Sequence, residues 1–105
     1  MGQVLELNED ILQSIVAENS KVAVQFGATW CGACKVMKPK FKREAEANED
    51  ITFVYVDVEA LQESRSITVI KNLPTFAGFV NGELVSKQVG SKSDTVKNLI
   101  EEINK

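Results

Sequence analysis

Val22-Ala23-Val24-Gln25-Phe26-Gly27-Ala28-Thr29-Trp30-Cys31-Gly32-Ala33-Cys34-Lys35 is the stretch that decides the fold. Its first five residues form a compact, β-rich run closed by Gly27, the pattern of a strand buried on both faces. Gln25 is the odd member, a polar side chain inside that run. From Ala33 to about Ala47 the pattern turns helical. Met37, Phe41 and Ala45 step by four along one face, and Pro39 is expected to kink the helix where it interrupts the ladder. Asn48-Glu49-Asp50 closes the segment. The only two cysteines in the chain therefore fall between a buried strand and a helix.

Upstream, Val4 to Leu7 reads as a short strand. Residues 9 to 19 read as an amphipathic helix on Ile11, Leu12, Ile15 and Val16, with Asn8 as N-cap and Glu9 and Asp10 in the first turn. Downstream, Ile51 to Val58 is a second buried strand, and residues 59 to 65 suit a short helix. Leu73-Pro74-Thr75 leads into the apolar run Phe76-Ala77-Gly78-Phe79-Val80. Asn81-Gly82 then separates that run from Glu83 to Val89, a strong hairpin signal because both turn residues need φ > 0. Gly90 follows, and Ser91 or Ser93 is positioned to cap a last helix carrying Val96, Leu99, Ile100 and Ile103. The order is β-α-β-α-β-α-β-β-α. Strands separated by helices imply parallel pairing, the hairpin must be antiparallel, and a mixed central sheet flanked by helices accommodates both.

The 105 residues are enough for one domain and one core. With 44% hydrophobic and 26% charged residues, the composition is that of a soluble globular protein. Twelve basic against fifteen acidic residues leave a net charge of −3, which opposes general nucleic-acid binding. The apolar stretches are far shorter than the ~20 residues of a membrane span. The first residues lack a basic n-region and an apolar h-region, so no signal peptide is expected and the expected compartment is the cytoplasm. Gly2 invites an acylation reading, but Glu6 stands where Ser or Thr should be. Histidine is absent, which removes Ser-His-Asp and Cys-His catalysis and His-ligated zinc.

The chemistry lies at Cys31 and Cys34. Two intervening residues bring both sulfurs within bonding distance at the first turn of the helix. Unpaired N–H groups and the helix dipole there favour a thiolate, so the first cysteine should be acidified. A thiolate attacks disulfides, and a neighbouring thiol resolves the mixed disulfide. Other fates exist for two cysteines. They could be buried small hydrophobes, but their close spacing after a tryptophan at a helix start argues against that. Zinc or an iron–sulfur cluster needs four ligands, which two thiols without histidine could supply only in a dimer, so no metal is expected.

Trp30-Cys31-Gly32-Ala33-Cys34-Lys35 between strand and helix resembles the thioredoxin family, and matching features run the length of the chain. Pro39 stands five residues after Cys34 at the family's helix kink, Leu73-Pro74-Thr75 falls at its cis-proline loop, and Gly90 matches its glycine past the last strand. The resemblance implies a thioredoxin fold: three layers, a central mixed sheet of about five strands flanked by four helices, one domain over residues 1–105. It implies a protein-disulfide reductase, an electron carrier of cell redox homeostasis without a cofactor of its own. Cys31 would be the nucleophile and Cys34 the buried resolving thiol. Trp30, Gly32, Pro74 and Thr75 would shape the groove for an extended substrate segment, paired by backbone groups beside Pro74. Its partners would be oxidised protein substrates and a thioredoxin reductase, an NADPH-dependent flavoprotein, with the chain itself a monomer.

Two residues depart from the family pattern. Ala33 replaces the usual proline between Gly32 and Cys34, which should alter the balance between dithiol and disulfide. Gln25 replaces a buried aspartate to which the family's proton transfer at the resolving cysteine is ascribed. Glutamine hydrogen-bonds but does not titrate, so slower or more pH-dependent attack by Cys34 is expected. Lys35 stands close enough to the pair to favour a thiolate, whereas the rest of the run Lys38, Lys40, Lys42 and Arg43 reads as a solvated helix face. The competing reading is a binding module that holds partners in the Pro74 groove with weak turnover. An oxidase or isomerase role is disfavoured by the missing secretion signal.

Overall fold

The computed structural model describes residues 3–105, and Gly2 lies outside them. Five strands alternate with helices: β1 (Val4–Glu6), α1 (Leu12–Glu18), β2 (Lys21–Gly27), α2 (Gly32–Ala47), β3 (Thr52–Asp57), α3 (Gln62–Arg65), β4 (Thr75–Val80), β5 (Glu83–Val89) and α4 (Thr95–Ile103). The strands form one sheet in the order β1-β3-β2-β4-β5. β3 runs parallel to β1 and to β2, while β4 is antiparallel to both β2 and β5. Helical crossovers join the parallel strands β1, β2 and β3, and two residues join β4 to β5. The expected parallel pairing fails at one connection: α3 also separates β3 from β4, yet the chain returns to the end of the sheet where β3 stops, with Asp57 beside Gly27 and Thr75 beside Phe26, so β4 runs back antiparallel. In that turn Asn81 and Gly82 both take positive φ, 53° and 85°.

Side-chain alternation on β2 divides the core into two layers. Val22, Val24 and Phe26 pack with Leu12 and Val16 of α1 and with Leu61 and Ile70. Ala23 faces the other way, with Met37, Phe41 and Ala45 of α2 and Val96, Leu99, Ile100 and Ile103 of α4. Phe41 anchors this second layer, edge-on to Phe53 at 5.0 Å and tilted against Phe76 at 5.7 Å between ring centroids. Ala23 stands beside Gly78 in the β2–β4 register, a low platform under α4. A methyl group on Gly78 would lie 2.7 Å from Ile103 Cγ1, so the close approach of α4 requires glycine there.

Two helix starts differ from the expected ones. α1 begins at Leu12 rather than at residue 9, and its N-cap position is taken by Ile11, which makes no side-chain cap, rather than by Asn8. Asp10 turns away from α1 and accepts N–H bonds from Glu63 at 2.9 Å and Ser64 at 2.5 Å, while Ser64 Oγ accepts from Leu12 N at 3.2 Å. The acidic residue assigned to one helix thus ties it to another. α4 begins at Thr95 with Asp94 at the cap position, and neither Ser91 nor Ser93 caps it. A backbone turn from Thr95 N to Lys92 O, 3.1 Å, performs that task.

Candidate active site

β2 runs buried to Gly27, and three residues later the chain enters α2 through Cys31, its N-cap residue, in extended conformation (φ −87°, ψ 105°). Starting a helix leaves its first N–H groups without intrahelical partners. One of them, from Cys34, donates to Cys31 Sγ at 3.2 Å, so the sulfur itself serves as the capping acceptor. Cys31 and Cys34 are joined by a disulfide with a Cα–Cα distance of 5.3 Å. Cys31 keeps 7% of its surface open to solvent and Cys34 none. What access the pair has to solvent therefore lies at Cys31.

Trp30 is 67% exposed beside Cys31, not part of the core. Gly32 is exposed with no atom near where a side chain would stand, and Ala33 is half-buried. The register Phe26–Thr75 lays the start of β4 alongside the end of β2 and brings the Pro74 loop to the level of the cysteines. Ile70 and Leu73 pack in the same cluster as Cys31 and Cys34. The Leu73–Pro74 peptide is cis. Pro74 is buried and its carbonyl accepts from Gly90 N at 3.0 Å, where Gly90 has φ 112°. Thr75 is also buried, its hydroxyl donating to Asn72 O at 2.6 Å. Both residues face inward, which leaves the exposed rim of this loop to their neighbours.

Gln25 is fully buried, and its Nε2 donates to the Cys34 carbonyl at 3.1 Å. Tyr55 stands next to it in the β2–β3 register, and a methyl group on Gly27 would meet the Tyr55 hydroxyl at 2.5 Å. Lys38 Nζ caps the Tyr55 ring at 4.2 Å from its centroid and pairs with Glu6 at 2.7 Å. Burial pushes the Tyr55 phenol above its usual range, with Lys38 opposing. Glu6, Gln25, Lys35, Lys38, Pro39 and Tyr55 together line an open cleft of about 720 Å³. Tyr55 and Lys38 carried no signal of this in the sequence, because only the parallel register of strands thirty residues apart places them beside Gln25. Among the described residues no helix is long and apolar enough to cross a membrane.

A family model described as Thioredoxin matches residues 3–104. The thioredoxin of Mycoplasmoides gallisepticum is 39% identical over 83 residues, covering 79% of this chain and 83% of the relative. Human thioredoxin is 36% identical over 87 residues, 83% of each. Among solved structures, a Schistosoma mansoni thioredoxin superposes with a TM-score of 0.85 at 39% identity, covering 95% of this chain and 94% of the other. The short form of spinach chloroplast thioredoxin F reaches a TM-score of 0.89 at 28% identity, covering 99% and 96%.

Proposed function

The chain belongs to the thioredoxin family and is a thiol–disulfide oxidoreductase, and from that premise we propose how its own residues divide the reaction. Cys31 is the nucleophile and Cys34 the resolving thiol. The observation that carries this is the asymmetry of the pair: Cys31 is the one with an open face, and its sulfur already accepts the Cys34 N–H. A backbone donor and the positive end of α2 stabilise negative charge on Cys31 Sγ, the condition for attack at neutral pH.

The Cys31 thiolate attacks one sulfur of a substrate disulfide, and the other substrate sulfur leaves as a thiolate. Cys34 then gives up its proton and attacks Cys31 Sγ. The Cys31–substrate bond breaks, the second substrate sulfur leaves, and the chain retains the disulfide while the substrate holds two more electrons. Gly32 offers no side chain to obstruct the approach, and exposed Trp30 lies against the incoming segment. The Leu73 backbone, preceding Pro74, pairs with that segment as an added strand, since the Pro74 carbonyl is already engaged by Gly90. Pro74 and Thr75 hold this loop in shape from inside. Ala33 and Gln25 set the redox balance, and Lys35 adds positive charge at the rim.

Partners of this family are disulfide-containing proteins and a reductase. For this chain we assign the return of electrons to an NADPH-dependent flavoprotein, with the protein acting as a monomeric, single-domain electron carrier of the cytoplasm over residues 1–105.

Trapping tests the division of labour. Cys34→Ser incubated with oxidised protein substrates should accumulate covalent adducts through Cys31, released by dithiothreitol, and Cys31→Ser should form none. Adducts on the wrong cysteine would reverse the assignment. No adducts with either variant would favour a binding module in the Pro74 groove.

A further inference from the structure

Gln25 is a fully buried carboxamide whose oxygen has no hydrogen-bond partner among the described residues. Its Nε2 donates to the Cys34 carbonyl at 3.1 Å. A carbonyl oxygen can only accept, so this bond fixes which end of the amide faces Cys34 O and turns Oε1 elsewhere. Among the described residues no donor reaches Oε1. A buried acceptor without a partner destabilises the state that contains it, and native proteins hold few of them.

The state described is the oxidised one, with Cys31 and Cys34 joined. Neither sulfur then carries a proton. Reduction creates two S–H donors, and one of them belongs to Cys34, the fully buried residue to which the amide is already anchored. We infer that Gln25 Oε1 accepts the Cys34 thiol proton in the reduced protein, so that this amide favours the dithiol over the disulfide. The inference rests on exchange at Cys31 and Cys34 as proposed above. Gln25 makes no contact with substrate here and acts only by holding the thiol proton of Cys34, the resolving sulfur.

The balance is that of an ordinary exchange. A dithiol reductant becomes a disulfide, the Cys31–Cys34 bond breaks, and two electrons and two protons leave both sulfurs as thiols. The Cys34 S–H then donates to Oε1. In the opposite direction Cys34 loses that proton as it attacks the mixed disulfide, and the departing substrate thiolate is the proton's final acceptor. An aspartate at this position would titrate. A carboxamide cannot, so it acts by holding the proton on sulfur rather than removing it.

Two measurements test the inference. The first is equilibrium with glutathione buffers, read by alkylation and mass spectrometry, for the native chain and for Gln25→Met, which removes donor and acceptor at similar side-chain length. The equilibrium should shift about three- to fivefold toward the disulfide in Gln25→Met, the weight of one hydrogen bond from a weak donor. The second is the infrared S–H stretch of reduced Cys31→Ser, in which Cys34 is the only thiol. Its band should lie below the frequency of a free thiol and return to that frequency in Cys31→Ser/Gln25→Met. A free-thiol band with Gln25 in place, or an equilibrium that is unchanged or shifts toward the dithiol in Gln25→Met, overturns the inference. Should Gln25→Met not fold, the band of Cys31→Ser decides alone. Failure of the native chain to equilibrate with glutathione would instead overturn the exchange reading, while the S–H band would still judge the hydrogen bond separately.

Discussion

Ala33 sits in the first turn of α2, two residues past its N-cap, where a backbone N–H has no intrahelical carbonyl to meet. Proline is favoured in such a turn because its φ is already near the helical value and the lost donor is an orphan in any case. Among the described residues the Ala33 N–H has no hydrogen-bond partner outside the helix. Ala33→Pro should therefore narrow the unfolded ensemble without breaking a native contact, raising stability by about 0.4–1 kcal/mol. For 105 residues that is an increase in Tm of about 2–4 °C, measurable by thermal unfolding in either redox state. A decrease would mean that the Ala33 N–H has a partner in the working protein, the active-site sulfurs being the first place to look. The neighbouring Cys31–Cys34 spacing is a feature that one residue at a time can explain, because a helix start supplies both geometry and field. The environment of Gln25 is different, since its partner, the Cys34 carbonyl, becomes visible only when β2 and α2 are packed together.

At the level of elements, the joint between α1 and α3 depends on Asp10 and Ser64. The Ser64 hydroxyl does most to hold the Asp10 carboxyl below its ordinary value of 3.8, desolvation opposes it, and the N–H groups of Glu63 and Ser64 add to the lowering. A carboxyl whose pKa is depressed by folding stabilises the native state above its unfolded pKa. That contribution disappears as pH falls through the lower, folded value. Asp10→Asn should thus be less stable than the native chain at pH 7, and the difference should shrink once the pH drops below about 3.8. Urea midpoints at pH 7 and pH 3 check this, and a constant difference would show that the carboxylate charge is not what joins the helices. The same joint marks the boundary of what was legible in the sequence. The Asn81-Gly82 hairpin, the buried β2 run and the Met37–Phe41–Ala45 face were readable because each is written in adjacent or periodic residues. The caps are not written that way: the first N–H of α1 goes to Ser64, fifty-two positions on, and that of α4 to the Lys92 carbonyl, so neither Asn8 nor Ser91 nor Ser93 is used. Asp10 looked like a first-turn acid of α1, and its ligands are on α3.

For the whole molecule, redox state and folding are linked, because the disulfide forms in both the folded and the unfolded chain but with different equilibrium constants. Closing the short loop between Cys31 and Cys34, three positions apart, removes unfolded-state entropy worth about 2 kcal/mol in the chain-entropy model. At 105 residues that alone would make the oxidised form melt about 9 °C above the reduced form. Gln25 works against this difference from both sides. In the oxidised protein its orphaned Oε1 lowers stability, and in the reduced protein the Cys34 thiol satisfies it. One hydrogen bond of about 1 kcal/mol narrows the gap to roughly half. Gln25→Met deletes the orphan and the bond together, so the oxidised form should gain, the reduced form should lose, and the gap should widen by about 4–5 °C. Thermal unfolding with and without dithiothreitol, run on both proteins, measures it. A general packing defect at this buried site would lower both melting temperatures equally and leave the gap alone. Only a group that distinguishes a thiol from a disulfide moves the two curves apart, and an unchanged gap would assign Gln25 to structure rather than to redox balance.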